Sequence, residues 1–126
     1  MKKIMVVDDE EVMRSLMEKM LKGKGYEVVE ASSGEECLEK LEEEKPDLIL
    51  LDIMMPGMNG WEIGKIIKED EKTTHILVAM FTVRTSDDSK EKSFRYSRAD
   101  AHIDKPFDIE GLLGTIKGLM KDRRGD

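Results

Sequence analysis

Aromatic residues make up only 5% of this 126-residue chain, cysteine occurs once and proline three times. No apolar run approaches the roughly 20 residues that a membrane-spanning helix needs. A lone cysteine, Cys37, rules out an internal disulfide, so nothing points to an oxidising compartment; it is expected to pack as a small apolar residue. With so few aromatics, aliphatic residues and ten methionines must fill the core. Basic residues are outnumbered 21 to 28 by acids, and the net charge of -7 disfavours a sequence-independent grip on nucleic acid or an anionic membrane. The closing KDRRGD is too short to reverse that balance. Lys2 and Lys3 open the chain as they might a signal peptide, but the apolar run behind them stops at Val7 and acids follow. No G-x-x-x-x-G-K-[ST] loop is present, which excludes a nucleotide triphosphatase of that type. The expectation is a soluble, cytoplasmic protein without a direct nucleic-acid or membrane partner.

What is present is an alternation. The length suits one domain with a real core. Charged residues reach 39%, yet the apolar residues fall in periodic segments rather than being scattered. Ile4 to Val7 is a strand-length apolar run. Val12, Leu16 and Met20, with Met13, Met17 and Leu21 beside them, then repeat at helical spacing until Gly23 and Gly25. Tyr26 to Ala31 reads as a second strand. Ser33 offers an N-cap with Glu36 as capping-box partner, Cys37, Leu38 and Leu41 give that helix a face, and Pro46 closes it. Leu48 to Leu51 and Ile76 to Phe81 are the third and fourth strands, with a helix marked by Ile63, Ile66 and Ile67 between them. Residues 87–98 carry a weak helical pattern, and Ala101 to Ile103 is a short fifth strand. After Asp108 as N-cap, Ile109, Leu112, Leu113, Ile116, Leu119 and Met120 form one stripe. Five strands each followed by a helix imply an α/β fold: a doubly wound parallel sheet with helices on both faces. Strands covered on both faces should be apolar throughout, and the first, third and fourth are.

In such a sheet, functional groups collect beyond the carboxyl ends of the strands. The first strand ends in Asp8, Asp9, Glu10 and Glu11, the third in Asp52, the fourth in Thr82, and the fifth runs into Lys105 and Pro106. Glu10 and Glu11 read more simply as acids favoured at a helix N-terminus. Two carboxylates about 4 Å apart repel by roughly 4 kcal/mol at an effective dielectric of 20, so three of them call for a cation. All-oxygen ligation suits Mg²⁺, and neither a histidine nor Cys37 belongs to the cluster. A carboxylate nucleophile, a hard cation, a hydroxyl and an ammonium together suit phosphoryl transfer onto aspartate.

The motifs VVDDE around Asp8 and Asp9, LLDIMMPGMNG around Asp52, FT at Thr82 and DKPFD around Lys105 resemble those of response-regulator receiver domains, most closely the stand-alone chemotaxis type. The resemblance runs from Lys3 to about Met120. It implies a flavodoxin-like sheet of strand order 2-1-3-4-5 and one receiver domain over residues 1–126 without an output domain. It further implies that Asp52 accepts a phosphoryl group from a histidine kinase or phosphotransfer protein. Asp9, Asp52 and the Met54 backbone carbonyl would bind Mg²⁺, Asp8 would act through a water, and Thr82 and Lys105 would hold the phosphoryl oxygens. A cis bond before Pro106 would aim Lys105 into the site. A downstream protein would dock on about residues 87–121.

Three positions depart from the family pattern: Val83 stands where alanine or serine is usual, His102 where an aromatic residue is usual, and Arg98 where glycine is common. These positions concern output rather than phosphorylation. Bonds from Thr82 and Lys105, worth about 1.5–3 kcal/mol each, match the roughly 5.5 kcal/mol needed to swing a two-state equilibrium from 1:99 to 99:1. Two readings of His102 stand: a moving switch residue whose charge biases the equilibrium near neutral pH, or a partly exposed histidine without a pH role. Met54 and Arg84, two residues beyond Asp52 and Thr82, would flank an acyl phosphate and slow its hydrolysis. Among other classes, a haloacid-dehalogenase-like phosphatase needs a second aspartate where Met54 stands. A flavodoxin-like electron carrier needs a phosphate loop where DDEE would repel the phosphate. A receiver fold serving as a protein-binding scaffold without phosphorylation is the alternative that the motifs leave open.

Overall fold

The computed structural model describes residues 2–52, 60–83, 100–105 and 108–121, and for Thr82, Val83, His102, Asp104 and Lys105 the backbone alone. The strands are β1 (Lys3–Val7), β2 (Glu27–Ala31), β3 (Leu48–Asp52), β4 (Leu77–Val83) and β5 (Ala101–Lys105). The described helices are α1 (Glu11–Gly23), α2 (Gly34–Glu44), α3 (Gly60–Glu69) and α4 (Ile109–Lys121). All pairings are parallel and the strand order is β2-β1-β3-β4-β5, as the family resemblance implied. The helical pattern over residues 87–98 lies outside the described residues.

Strand alternation divides the core in two. Met5, Val7, Ile49, Leu51, Val78 and Met80 meet α2 and α3 through Cys37, Leu41, Ile63 and Ile67. Ile4, Val6, Leu48, Leu50, Ala79, Phe81 and Ile103 meet α1 and α4 through Met17, Leu21, Leu112, Ile116 and Met120. Because successive side chains point to opposite faces, continuous apolar strands are what a doubly covered sheet requires.

The helices correct the sequence reading in detail. On α1 the buried pair is Met17 and Leu21, with Met13 and Met20 partly buried, whereas Val12 and Leu16 are 83% and 52% exposed. Both rows have helical spacing, and only the docking angle of α1 chooses between them. Ile66 and Ile109 likewise stand out from their helices into solvent, while Ile63, Ile67, Leu112, Ile116 and Met120 are buried. Strands four and five are longer than expected: β4 takes in Thr82 and Val83, and β5 takes in Asp104 and Lys105, paired Thr82↔Asp104 and Val83↔Lys105. Backbone pairing continues through the polar residues Thr82, Asp104 and Lys105.

Ser33 is the N-cap of α2, as expected, and only the reciprocal bond of the capping box is shifted by one residue. The Glu36 N–H donates to Ser33 Oγ at 3.1 Å, as expected of an N-cap. The Glu36 carboxylate, however, accepts from the N–H and hydroxyl of Ser32 at 2.6 and 2.9 Å rather than from Ser33. Lys45 ends the helix in a left-handed conformation at φ 46°, its N–H on the Leu41 carbonyl, and Pro46 prevents continuation. On α4, Asp108 caps through the Gly111 N–H, as expected.

The Ser32 N–H, the Lys40 ammonium and the Ser32 hydroxyl hold the Glu36 carboxyl at about 2, below its ordinary value of 4.5. A depressed carboxylate contributes stability above its unfolded value and loses it as pH falls through the folded one. Glu36→Gln is therefore expected to lower stability at pH 7 by roughly 0.5–1 kcal/mol, a modest figure because the side chain is about a third exposed. The gap should narrow between pH 4.5 and pH 2, as read by urea unfolding; a gap that stays constant across that range would contradict the assignment.

Candidate functional site

Register alone brings the central acids together. Val7 and Leu51 form the last paired rung of β1 and β3, and the next residues along the two chains are Asp8 and Asp52. Adjacent strands lie about 4.8 Å apart, and equal steps from a shared rung keep two side chains on the same side of the sheet. Asp52 is the final residue of β3, paired with Phe81 of β4. Asp8 extends the β1–β2 ladder by one more bond, its N–H donating to the Ala31 carbonyl at 3.1 Å. Both carboxylates are buried, each 3% exposed, while Asp9 is open to solvent. One oxygen from each of Asp8, Asp9 and Asp52 lies within 4.8 Å of the others.

The turn after β1 is held from several sides. Glu10 donates its N–H to Asp8 Oδ1 at 2.9 Å, and α1 begins at Glu11. Glu10 sits at the N-cap without a side-chain cap bond, and Glu11 lies in the first turn, where the helix dipole favours acids. That agrees with the plain reading of these two glutamates. Arg14, one turn into α1, donates from Nη1 to the Asp8 carbonyl at 2.7 Å and from Nε to Glu30 Oε1 at 3.3 Å. Sequence reasoning missed both residues, since their meeting depends on how α1 lies over β2.

Three carboxylates at this spacing repel by roughly 3–4 kcal/mol per pair, and burial of two of them raises the cost of their charge. A hard divalent cation fits both the donor type and the spacing. Thr82 and Lys105 stand with their backbones at the same carboxyl edge, at the ends of β4 and β5. The His102 backbone is in β5 opposite Met80, and Val83 closes β4. Met54, Arg84 and Pro106 lie outside the described residues. Cys37 is buried against α2's neighbours, and burial, with the Glu36 charge adding, pushes its thiol up to about 12; it is no nucleophile.

This architecture is that of a doubly wound sheet with an acidic carboxyl edge, and sequence comparison gives it a family. Residues 4–117 match the response regulator receiver domain. The chain is 35% identical to the polar-differentiation response regulator DivK of Brucella ovis over 121 residues, which is 96% of this chain and 98% of that one. It is 38% identical over 120 residues to the alkaline phosphatase synthesis transcriptional regulatory protein PhoP of Bacillus subtilis, covering 95% of this chain and 49% of that protein. Among solved structures, a CheY-like receiver domain protein of Methanospirillum hungatei superposes with a TM-score of 0.89 at 30% identity, covering 99% and 98% of the two chains. The chemotaxis response regulator CheY4 of Vibrio cholerae does so with 0.84 at 30% identity, covering 93% and 97%.

The chain belongs to the response regulator receiver domain family, the signalling switches of two-component systems. Members of that family typically use Mg²⁺, and the Asp8, Asp9 and Asp52 cluster offers it oxygen donors. Among the described residues no helix is long and apolar enough to cross a membrane.

Crowding of like charge makes a direct prediction. Asp8→Asn keeps an oxygen for the Glu10 N–H but removes one negative charge. In chelator it should raise the thermal midpoint by a few degrees, the shift expected for roughly 1 kcal/mol. Added Mg²⁺ should stabilise the parent more than the variant. A midpoint lowered in chelator would show that the three charges are not the dominant strain at this edge.

Proposed function

We propose that this domain is a phosphorylation-activated switch that accepts a phosphoryl group on Asp52 from the phosphohistidine of a histidine kinase or phosphotransfer protein. The observation that carries the reading is the pairing of two buried carboxylates, Asp8 and Asp52, at the ends of neighbouring central strands, with Asp9 within 4.8 Å. An Asp52 oxygen attacks phosphorus, the phosphorus–nitrogen bond breaks, and the imidazole leaves with that electron pair. An acyl phosphate on Asp52 results. Asp9, Asp52 and the Met54 carbonyl would bind Mg²⁺ directly and Asp8 through a water. Bound there, Mg²⁺ supplies positive charge that offsets the phosphoryl oxygens and the carboxylates. Thr82 and Lys105 take the remaining phosphoryl oxygens and, by moving toward them, change the surface around β5.

Val83, His102, Arg84, Pro106 and the side chain of Met54 tune this cycle rather than perform it. The output surface falls within about residues 87–121, of which β5 and α4 are described, and the partner is a protein, not nucleic acid or membrane. A cytoplasmic location accords with a histidine-kinase phosphodonor.

Incubation with Mg²⁺ and a small-molecule phosphodonor should add the mass of one phosphoryl group to the intact protein. The adduct should vanish in Asp52→Ala and in chelator. Absence of any adduct in the parent would favour the alternative, a receiver fold that binds its partner as a scaffold without phosphorylation.

A further inference from the structure

Asp8 is restrained at nearly every polar group it has. Its N–H is bonded to Ala31, its carbonyl receives Arg14 Nη1, and its Oδ1 receives the Glu10 N–H. Of these, the Arg14 bond is the one that no backbone geometry demands. The guanidinium stands over the start of an acidic turn, yet its bonds go to the Asp8 carbonyl and the Glu30 carboxylate, not to the carboxylate of Asp8, Asp9 or Asp52. Its side chain is only 16% exposed. A half-buried pair of this kind is weak evidence for stability, because desolvation offsets the attraction. Its position suggests another use.

Glu30 fixes Arg14 and is itself fixed. The Glu30 carbonyl accepts from Lys40 Nζ at 2.6 Å, and Lys40 pairs with Glu36 at 3.0 Å. A chain of contacts therefore runs from α2 through β2 to α1 and ends on the Asp8 carbonyl. Holding that carbonyl sets the peptide plane between Asp8 and Asp9, and with it the mutual placement of two of the three carboxylates. Glu30 also cancels the guanidinium charge, so the brace orients the acids without competing with a cation for them.

We infer that Arg14 is a positioning residue for the cation site, with Glu30 as the partner that aims it and neutralises its charge. The inference rests on the proposed cation site at Asp8, Asp9 and Asp52. Groups behind metal ligands that orient them typically change affinity by about 10–100-fold when removed.

The test exploits two effects of opposite sign. Arg14→Met removes a positive charge near three carboxylates, so electrostatics alone would tighten Mg²⁺ binding; loss of positioning weakens it. Mg²⁺ affinity is read from the amide NMR shifts of Asp8, Asp9 and Glu10, with the spectra also reporting that each variant is folded. We expect Arg14→Met to bind Mg²⁺ about tenfold more weakly or worse. Arg14→Lys, which keeps a charged donor within reach of the carbonyl, should recover most of the loss. Glu30→Gln leaves the guanidinium charge uncompensated and should also weaken binding. Equal or tighter binding in Arg14→Met overturns the inference. Should Arg14→Met fail to fold, unchanged affinity in Glu30→Gln overturns it instead. Absence of Mg²⁺ binding in the parent would overturn the cation site itself, a failure distinct from that of Arg14.

Discussion

Everything at the functional edge follows from forcing three carboxylates into one small space. Asp8 and Asp52 arrive there by strand register, one step past Val7↔Leu51. At an effective dielectric of 20 each such pair repels by roughly 3–4 kcal/mol before any counter-charge is counted, against the 5–15 kcal/mol by which domains of this size are stable. Among the described residues, twelve on each face of the sheet are buried in its two cores, and those of β1 and β3 hold the two central strands. The donor set of that edge suits a cation.

Such strain is useful only if geometry survives it. Asp52 is the last residue of a fully buried strand, and its backbone is paired with Phe81. Asp8 sits in a turn and needs other support, which comes from Ala31, Glu10 and Arg14. The two buried acids thus reach the same spacing by different means: one by sheet pairing, the other by a set of side-chain and turn contacts. Asp9, exposed and less constrained, completes the set on the solvent side.

Much of this was legible in the residues. Short apolar runs alternating with helical spacing gave the sheet, and the runs ending in Asp8 and Asp52 gave the acidic edge. What the sequence withheld was orientation. Val12 and Leu16 match the helical repeat as well as Met17 and Leu21 do, and only the packing of α1 on the sheet separates exposed row from buried row. Polarity in the sequence reads as a strand stop, whereas Thr82 and Lys105 remain in backbone pairing. The pattern S-x-x-E marks Ser33, which does cap α2, but Glu36 reaches back to the Ser32 N–H, a one-residue choice decided by how β2 enters α2. Arg14 and Glu30 carried no signal, since they stand sixteen positions apart on two different elements, α1 and β2.

Which aspartate becomes modified decides the role of the end of β3. After treatment with Mg²⁺ and a phosphodonor, borohydride reduces an acyl phosphate to an alcohol and marks the aspartate that carried it as homoserine. Peptide mass mapping of the reduced protein should locate homoserine at position 52, and chelation before treatment should abolish it. Homoserine at Asp8 or Asp9 instead, or a phosphoryl group borne elsewhere on the chain, would contradict the role given to the end of β3.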